Sequence, residues 1–362
     1  MRIGVLGGGQ LGRMLALAGI PLGHDFVFLE PGGEAVRGLG ELIAASADDR
    51  SALDRLMATV DLVTYEFENV PVSAARTVAA RLPVFPPPEA LSVSQDRVVE
   101  KTFFRELGIP TARFVAVDSR PDLDRAVAAL GLPAVLKTRR LGYDGKGQRV
   151  LRVPADLGAA WAALAGTPLV LEAFVSFTRE LSIVGVRGRD GAEAFYPLVE
   201  NHHRDGILRR TLAPAPGLTP ALQAIGEGHA RRVFERLRYV GVLAIELFQV
   251  GEDLLANEMA PRVHNSGHWT IDGAATSQFE NHVRAIAGWP LGSTAVRGAV
   301  AMVNLIGTTP DPAAVLAVPH ARLHLYGKEP KAGRKVGHVT IVGASHTALE
   351  RDVTVIEALA RG

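Results

Sequence analysis

The chain contains no cysteine. That single absence excludes disulfides, thiolate metal sites and a cysteine nucleophile. An excess of either charge is also missing: 39 Lys and Arg against 38 Asp and Glu leave a net charge of +1. No global field therefore draws the chain to nucleic acid or to a membrane surface, and any anion site must be local. No uninterrupted apolar stretch reaches the length of a membrane span. The opening MRIGVLGGGQLG enters a strand and a glycine turn at once, without the basic region, apolar run and cleavage site of a secretory signal. No period of roughly twenty to fifty residues recurs, which excludes a solenoid. What remains is an ordinary globular composition, 48% hydrophobic and 21% charged over 362 residues. Such a length is expected to divide into about two or three domains, and a cytoplasmic enzyme is the default reading.

The first ninety or so residues read as an α/β unit. Ile3 to Leu6 is a short apolar run, followed by Gly7-Gly8-Gly9-Gln10-Leu11-Gly12, a helix-like RMLALAG, and a second run from Phe26 to Leu29 that ends in Glu30-Pro31-Gly32. This is the start of a βαβ pattern with a parallel sheet. DLVTYEF adds a buried strand at Leu62 to Thr64, and Pro86-Pro87-Pro88 closes the unit. A helix is expected next in SVSQDRVVEKTFFRELGIP, with Ser92 and Gln95 as a capping box, Ser94 as the alternative cap, and Gly108 with Pro110 as the stop. Strands follow at LPAVLK, Leu169 to Glu172, Leu181 to Val186 and Val242 to Val250, and from Leu291 short strands alternate with loops.

Several segments could carry chemistry. The G-x-G-x-x-G turn at Gly7, Gly9 and Gly12, with Glu30 after the next strand, formally matches a dinucleotide fingerprint. The plainer reading is a tight turn that holds any phosphate or none. AVLKTRRLGYDGKGQ places Lys137 at a strand end before a loop whose Gly142, Gly145 and Gly147 let backbone N–H groups wrap oxyanions, with Lys146 adding charge. It is not a P-loop, and a flexible surface hairpin is the competing reading. In NEMAPRVHNSGHW, His264 and His268 are spaced as in a zinc helix, but Pro261, Gly267 and the turn-forming Asn265-Ser266-Gly267 oppose a helix. Asn265 also stands where a zinc hydrolase needs glutamate.

The metal reading moves to carboxylates. Val242 to Val250 and Leu254 to Met259 read as two strands, and a three-residue loop Gly251-Glu252-Asp253 would set Glu246 opposite Glu258. Facing side chains have Cβ atoms about 5 Å apart, where like charges repel. Glu246 is flanked by Ile245, Leu247 and Phe248, an enclosure in which an unpaired carboxylate is costly. A divalent cation removes both penalties, and hard oxygen donors suit Mg²⁺ completed by water and substrate phosphates. Salt bridges to arginines, or a register that separates the two side chains, are the competing readings. Lysine and glycine loop on one side and paired glutamates on the other together describe a nucleoside-triphosphate site. Glu172 at the end of a strand suits the nucleoside edge, where a hinge offers backbone groups to adenine, and Glu180 could reach ribose hydroxyls.

GGGQLGRM, YEFENVP, GYDGKGQ, FYPLVENHHRDGILR, NEMAPRVHNSGHWT and GRKVGH together resemble the ATP-grasp superfamily and, within it, the N5-carboxyaminoimidazole ribonucleotide synthetase family, over about Ile3 to His338. The resemblance implies an N-terminal Rossmann-like parallel-sheet domain at 1–91, an ATP-grasp α+β domain at 92–290 with a mobile lid at about 113–176, and a small β-rich C-terminal domain at 291–362. It implies that ATP, bicarbonate and 5-aminoimidazole ribonucleotide give ADP, phosphate and the N-carboxylated ribonucleotide through carboxyphosphate, in a cytoplasmic homodimer. By the same resemblance, Arg97 and Lys137 contact ATP phosphates and the loop Gly142, Tyr143, Asp144, Gly145, Lys146, Gly147, Gln148 closes over them. Glu172, Ala173, Phe174 and Val175 hold adenine, Glu180 holds ribose, His203 and Asn257 line the pocket, and Glu246 and Glu258 carry Mg²⁺. For the ribonucleotide it points to Gln10, Leu11, Glu66, Tyr143 and Asp144, with Glu68 of the same YEFENV as the alternative glutamate, and with Lys328, Arg334 and Lys335 joining the first helix end at the 5′-phosphate. Arg262, His264 and Asn265 face bicarbonate and the forming carboxylate, since a planar guanidinium fork matches a planar carboxylate.

Overall fold

The computed structural model describes residues 1–142 and 145–361. The apolar runs Arg2–Leu6, Asp25–Leu29, Glu41–Ile43 and Leu62–Tyr65 form a four-stranded parallel sheet, ordered in space third, second, first, fourth. Ile3, Val5, Phe26 and Phe28 pack on one face, and Leu6, Val27, Leu29 and Val63 on the other. Burial on both faces is why these strands read as continuous apolar runs rather than alternating ones. Gly7 to Gly9 turn the chain from the first strand into helix Gln10–Gly19, so that helix begins at the carboxyl end of the sheet.

A second, nine-stranded antiparallel sheet forms the body of the molecule. Asp253–Ala260 is its edge, followed by Gly241–Val250, Arg179–Arg187, Val199–Arg204 and Ile207–Ala213, with Glu193–Phe195 paired beside Arg179–Arg187. Strands Ala299–Ile306, Lys335–Gly343 and Ala321–Leu325 continue the same sheet through the pairing of Ala299–Ile306 with Ile207–Ala213. Hydrogen bonding thus runs straight across the boundary expected at 290/291. The tail, expected to be strands and loops, ends in helix His346–Leu359, which packs Leu349, Val353 and Ile356 against Ala301, Val303 and Ile341.

Period-2 alternation decides what Glu246 faces. Leu243, Ile245 and Leu247 enter the core with Val233 and Phe234 of helix Pro220–Leu237, while Val242 and Ala244 pack with Trp269 and Phe279 on the opposite side. Glu246 shares the parity of Val242 and Ala244, so Ile245 and Leu247 do not enclose its carboxylate as the linear sequence suggested.

A third sheet of strands Phe114–Val117, Leu169–Ala173, Ala134–Thr138 and Gln148–Leu151 is antiparallel, in that spatial order, and packs on helices Arg120–Leu130 and Asp156–Leu164. The expected capping box at Ser92 and Gln95 is not formed. Helix Pro88–Ser94 starts earlier, on Pro88, which presets helical φ at the first position. Gln95 instead donates to Glu68 O and Val70 O at 2.9 and 2.7 Å. The next helix, Arg97–Glu106, is capped by Asp96, which accepts from Val98 N and Val99 N at 3.0 and 3.3 Å.

Candidate active site

The carboxylate hairpin pairs as expected, but by a different route. Val250 pairs with Asp253, so only Gly251 and Glu252 form the turn, with Gly251 at φ +62°. A bulge at Asn257 then inserts one residue and brings Glu246 opposite Glu258. Both carboxylates therefore share one face, as the three-residue loop also required. Burial and the Glu258 charge push Glu246 upward, whereas at Glu258 burial is overridden by Arg97, which holds the carboxyl below its ordinary range. The side-chain oxygen of Asn257, next to Glu258 in sequence, is buried and has no hydrogen-bond partner among the described residues.

Cations from two other elements meet this face. Arg97, at the start of its helix, donates Nη1 to Glu258 Oε2 at 2.6 Å and Nη2 to Gly142 O at 3.1 Å. It joins the metal-type carboxylate to the second glycine loop. Lys137 Nζ lies 3.0 Å from Glu172 Oε2, and the fully buried Lys101 reaches the same oxygen at 3.3 Å. Burial would raise the Glu172 carboxyl, but the two ammonium groups hold it down, to about 2. The Glu172 side chain is thus committed inward rather than directed to a nucleoside. The hinge after it, Ala173 to Val175, has Ala173 N on Arg113 O at 2.8 Å and Phe174 N on Pro133 O at 3.2 Å, with the Phe174 ring exposed. Glu180 and His203 come together as expected, His203 Nδ1 lying 2.9 Å from Glu180 Oε2.

In the second glycine loop, Gly145 and Gly147 take φ +74° and +70°. A Cβ on Gly147 would stand 2.6 Å from Thr138 Oγ1, and one on Gly145 2.9 Å from Gly206 Cα, so both conformation and space require glycine. Gln148 begins the next strand opposite Lys137, and Lys146 lies in the turn before it. Tyr143 and Asp144, expected at both the nucleotide and the ribonucleotide, lie outside the described residues.

The acceptor half is built by the segment after the hairpin. Arg262 pairs through Nε and Nη2 with Glu68 Oε2, and donates Nη1 to Val263 O at 2.9 Å. Burial opposes ionisation of Glu68, but Arg262 outweighs it and holds the carboxyl low. His264 leads into a 3₁₀ turn, Asn265–Gly267, not a zinc-type helix. Ser266 N donates to His264 Nδ1 at 3.3 Å. A backbone N–H can only donate, so Nδ1 is the acceptor and the neutral ring carries its proton on Nε2, 3.4 Å from Glu246 Oε1. Burial, then Arg262 and Lys335, depress the ring to about 3 and keep it neutral. Gln278 clamps the turn, accepting from His264 N at 3.0 Å and donating to His264 O at 2.6 Å. Both polar atoms of the Asn265 amide are buried without a hydrogen-bond partner among the described residues. His268 and Trp269 are buried behind this turn, packed on Phe279 and Tyr196 respectively.

The first glycine turn is occupied by its own protein. Glu66 Oε1 accepts from Gly9 N at 2.5 Å and Oε2 from Gly12 N at 2.6 Å. A Cβ on Gly7 would stand 2.5 Å from Glu66 Cγ, and one on Gly9 2.6 Å from Glu66 Oε1. The glycines therefore make room for a buried carboxylate, which accounts for the fingerprint without a dinucleotide. Glu66 thus takes the amides of Gly9 and Gly12 at this helix end, whereas the expected contacts lie between them, at Gln10 and Leu11. Leu11 is buried and can offer only backbone, whereas Gln10 Oε1 accepts from Lys328 Nζ at 2.9 Å. Arg334, Lys335, Glu66 and Glu34 all act electrostatically on Lys328, which places the expected cations around this helix start. Arg334 is held by Glu34 at 3.6 Å and Glu329 O at 3.2 Å.

Sequence reasoning missed Lys101, Glu100 and Gln278, and left the choice between Glu66 and Glu68 open. Glu100 accepts from Met259 N at 2.7 Å, and Lys101 donates to Asn257 O at 3.0 Å, so both brace the strand that carries Glu258. Arg97 and Lys101 are four residues apart on one helix, a spacing that could have flagged the second cation once the first was chosen. Glu68 had no comparable signal beyond its place in YEFENV.

Residues 1–95 match the Ribonucleotide synthetase preATP-grasp domain, residues 102–279 the ATP-grasp domain, and residues 300–352 the Phosphoribosylaminoimidazole carboxylase C-terminal domain. The chain is 55% identical to the N5-carboxyaminoimidazole ribonucleotide synthase of Pseudomonas aeruginosa over 99% of both chains. It is similar to the crystal structure of N5-carboxyaminoimidazole ribonucleotide synthetase from Thermus thermophilus, with 57% identity, a TM-score of 0.95, and 99% and 98% of the two chains covered. It is also similar to the Aspergillus clavatus N5-carboxyaminoimidazole synthase in complex with ADP and 5-aminoimidazole ribonucleotide, with 31% identity, a TM-score of 0.90, and 99% and 98% covered.

Proposed function

The chain belongs to the N5-carboxyaminoimidazole ribonucleotide synthase family of ATP-grasp enzymes, and from that premise we propose a role for each part of the site. The protein is an ATP-dependent carbon–nitrogen ligase that carboxylates 5-aminoimidazole ribonucleotide in purine biosynthesis. A bicarbonate oxygen attacks the γ-phosphorus of ATP, the bond to the β-phosphate oxygen breaks, and ADP leaves carboxyphosphate behind. The exocyclic amine then bonds to the carboxyl carbon, inorganic phosphate leaves, and the amine gives up a proton. Phosphoryl transfer of this kind depends on alignment and charge neutralisation.

Arg97 and Lys137 hold the ATP phosphates under the loop 142–148. Carbonyls of the Ala173 to Val175 hinge and the Val175 amide meet adenine, and Glu180 with His203 meets the ribose. The paired hard oxygens of Glu246 and Glu258, with the buried Asn257 Oδ1 next to Glu258 in sequence, fit Mg²⁺, which neutralises phosphate charge when bound. Arg262 and Asn265 hold bicarbonate, and neutral His264 directs its Nε2 proton towards the same space. Lys328, Arg334 and Lys335 hold the 5′-phosphate beside Gln10, with Glu66 fixing the turn that carries it. Segments 1–91, 92–290 and 291–362 are read as ribonucleotide, nucleotide and phosphate-completing domains, with 113–176 as the lid. Among the described residues no helix is long and apolar enough to cross a membrane, and we read the enzyme as a cytoplasmic homodimer.

The observation that carries this reading is the grouping of Arg97 and Lys137 around the facing pair Glu246 and Glu258, with Arg262, His264 and Asn265 next along the chain. It is tested by ADP release with ATP and Mg²⁺, adding bicarbonate and 5-aminoimidazole ribonucleotide separately and together. Release that requires both supports it; release indifferent to the ribonucleotide refutes it. Sedimentation of the purified protein tests the dimer.

A further inference from the structure

Lys101 is given no nucleotide, metal or acceptor role above, yet its side chain is only 1% exposed. An ammonium can be buried that deeply only with partners. It has two: Asn257 O at 3.0 Å and Glu172 Oε2 at 3.3 Å. Lys137 reaches that same carboxylate oxygen at 3.0 Å, from a side chain 12% exposed. Two cations thus share one oxygen of one carboxylate, while Glu172 Oε1 has no hydrogen-bond partner among the described residues. Glu172 thus carries one ammonium more than its single charge needs.

The two lysines differ in freedom. Lys137 stands near the end of strand Ala134–Thr138, beside the second glycine loop. Lys101 is pinned from behind by a backbone carbonyl of the strand that carries Glu258. We infer that Lys101 is a positioning residue: it stays as the counter-ion of Glu172 when Lys137 turns from that carboxylate to the phosphates of the nucleotide. The inference rests on the nucleotide role proposed for Lys137. Without Lys101, every departure of Lys137 would leave Glu172 as a buried, unpaired anion, so Glu172 would retain Lys137 and compete with the phosphates.

The test compares Lys101→Met with the double variant Lys101→Met/Glu172→Gln, reading ADP affinity in the presence of Mg²⁺ by titration calorimetry. Lys101→Met is expected to weaken ADP binding by about 30-fold or more. The double variant is expected to recover most of that loss, because the neutral amide that replaces the Glu172 carboxylate no longer holds Lys137. A merely structural role for Lys101 predicts no such rescue. Wild-type-like affinity in a folded Lys101→Met, or a double variant no better than the single one, overturns the inference. A crystal structure of the unmodified protein with ADP decides the point independently of how the variants fold. Lys101 remaining on Glu172 with Lys137 on phosphate supports it; Lys137 remaining on Glu172 overturns it. Absence of ADP binding by the unmodified protein would instead overturn the nucleotide reading itself, and this inference with it.

Discussion

The two glycine turns of this chain look alike as sequence and differ in what fills them. At the first, residues 7 to 12, the amides of Gly9 and Gly12 are closed by the Glu66 carboxylate from the end of the neighbouring parallel strand. At the second, residues 142 to 147, the contacts come from Arg97, whose other nitrogen holds Glu258, and from Thr138 N, which donates to Gly147 O at 2.8 Å. One turn is satisfied internally by an anion; the other is tied to a cation whose present partner is a carboxylate. Glycine supplies conformation in both. Chemistry is assigned by the charge that faces the backbone: a buried carboxylate at the first turn, with Lys328 reaching the Gln10 side chain beside it, and the Arg97 guanidinium at the second.

The hardest way to break this contrast is to remove the carboxylate on the second side. Glu258→Gln is expected to fold normally and to lose about 10³-fold in Mg²⁺-dependent ADP release; turnover near that of the unmodified enzyme would abolish the metal role. A paired substitution then asks whether the turns fail differently. Gly9 has φ −86°, a conformation alanine adopts without strain, so the cost of Gly9→Ala is displacement of Glu66, whose Oε1 would be 2.6 Å from the new Cβ. A loss of about 1–3 kcal/mol in unfolding free energy is expected, with the KM for ATP unchanged. Gly147→Ala, at φ +70° against Thr138, is expected to cost about 1 kcal/mol in stability and to raise the KM for ATP about tenfold. Identical phenotypes in denaturant melts and ATP titrations would erase the distinction between the turns.

Much of this was readable in the sequence, and the exceptions have physical causes. Apolar runs located the parallel strands because both faces of that sheet are buried. Glu246 was placed opposite Glu258 correctly although the turn has two residues, not three, because the bulge at Asn257 supplies the missing step. Local pattern carries no information about a bulge that is fixed by tertiary contacts, here Lys101 on Asn257 O and Glu100 on Met259 N. The role of Glu66 was hidden for a similar reason: nothing near Gly9 announces a carboxylate arriving from the strand Leu62–Tyr65. Glu172 was legible as a strand-end residue before the hinge, but the pairing of its side chain was not, since its partners Lys101 and Lys137 come from two other elements.

The smallest expected effect concerns the ribose edge of the second region, and it is a pH dependence. Burial alone would lower the His203 ring, but the Glu180 carboxylate 2.9 Å from its Nδ1 and the charge of Glu246 outweigh burial, so the folded-state value lies above the ordinary one. A histidine raised by a partner stabilises the fold fully below its unfolded value, about 6.5, and loses that contribution as pH climbs through the raised folded value. His203→Gln keeps an amide donor near Glu180 but cannot titrate. The stability gap between the unmodified enzyme and this variant should therefore be widest near about pH 6 and shrink towards about pH 9, as measured by denaturant melts at each pH. A gap that stays constant would mean that Glu180 and His203 meet as a neutral hydrogen bond, and that the charge separating the second region from the first resides wholly in Arg97, Lys137 and their carboxylates.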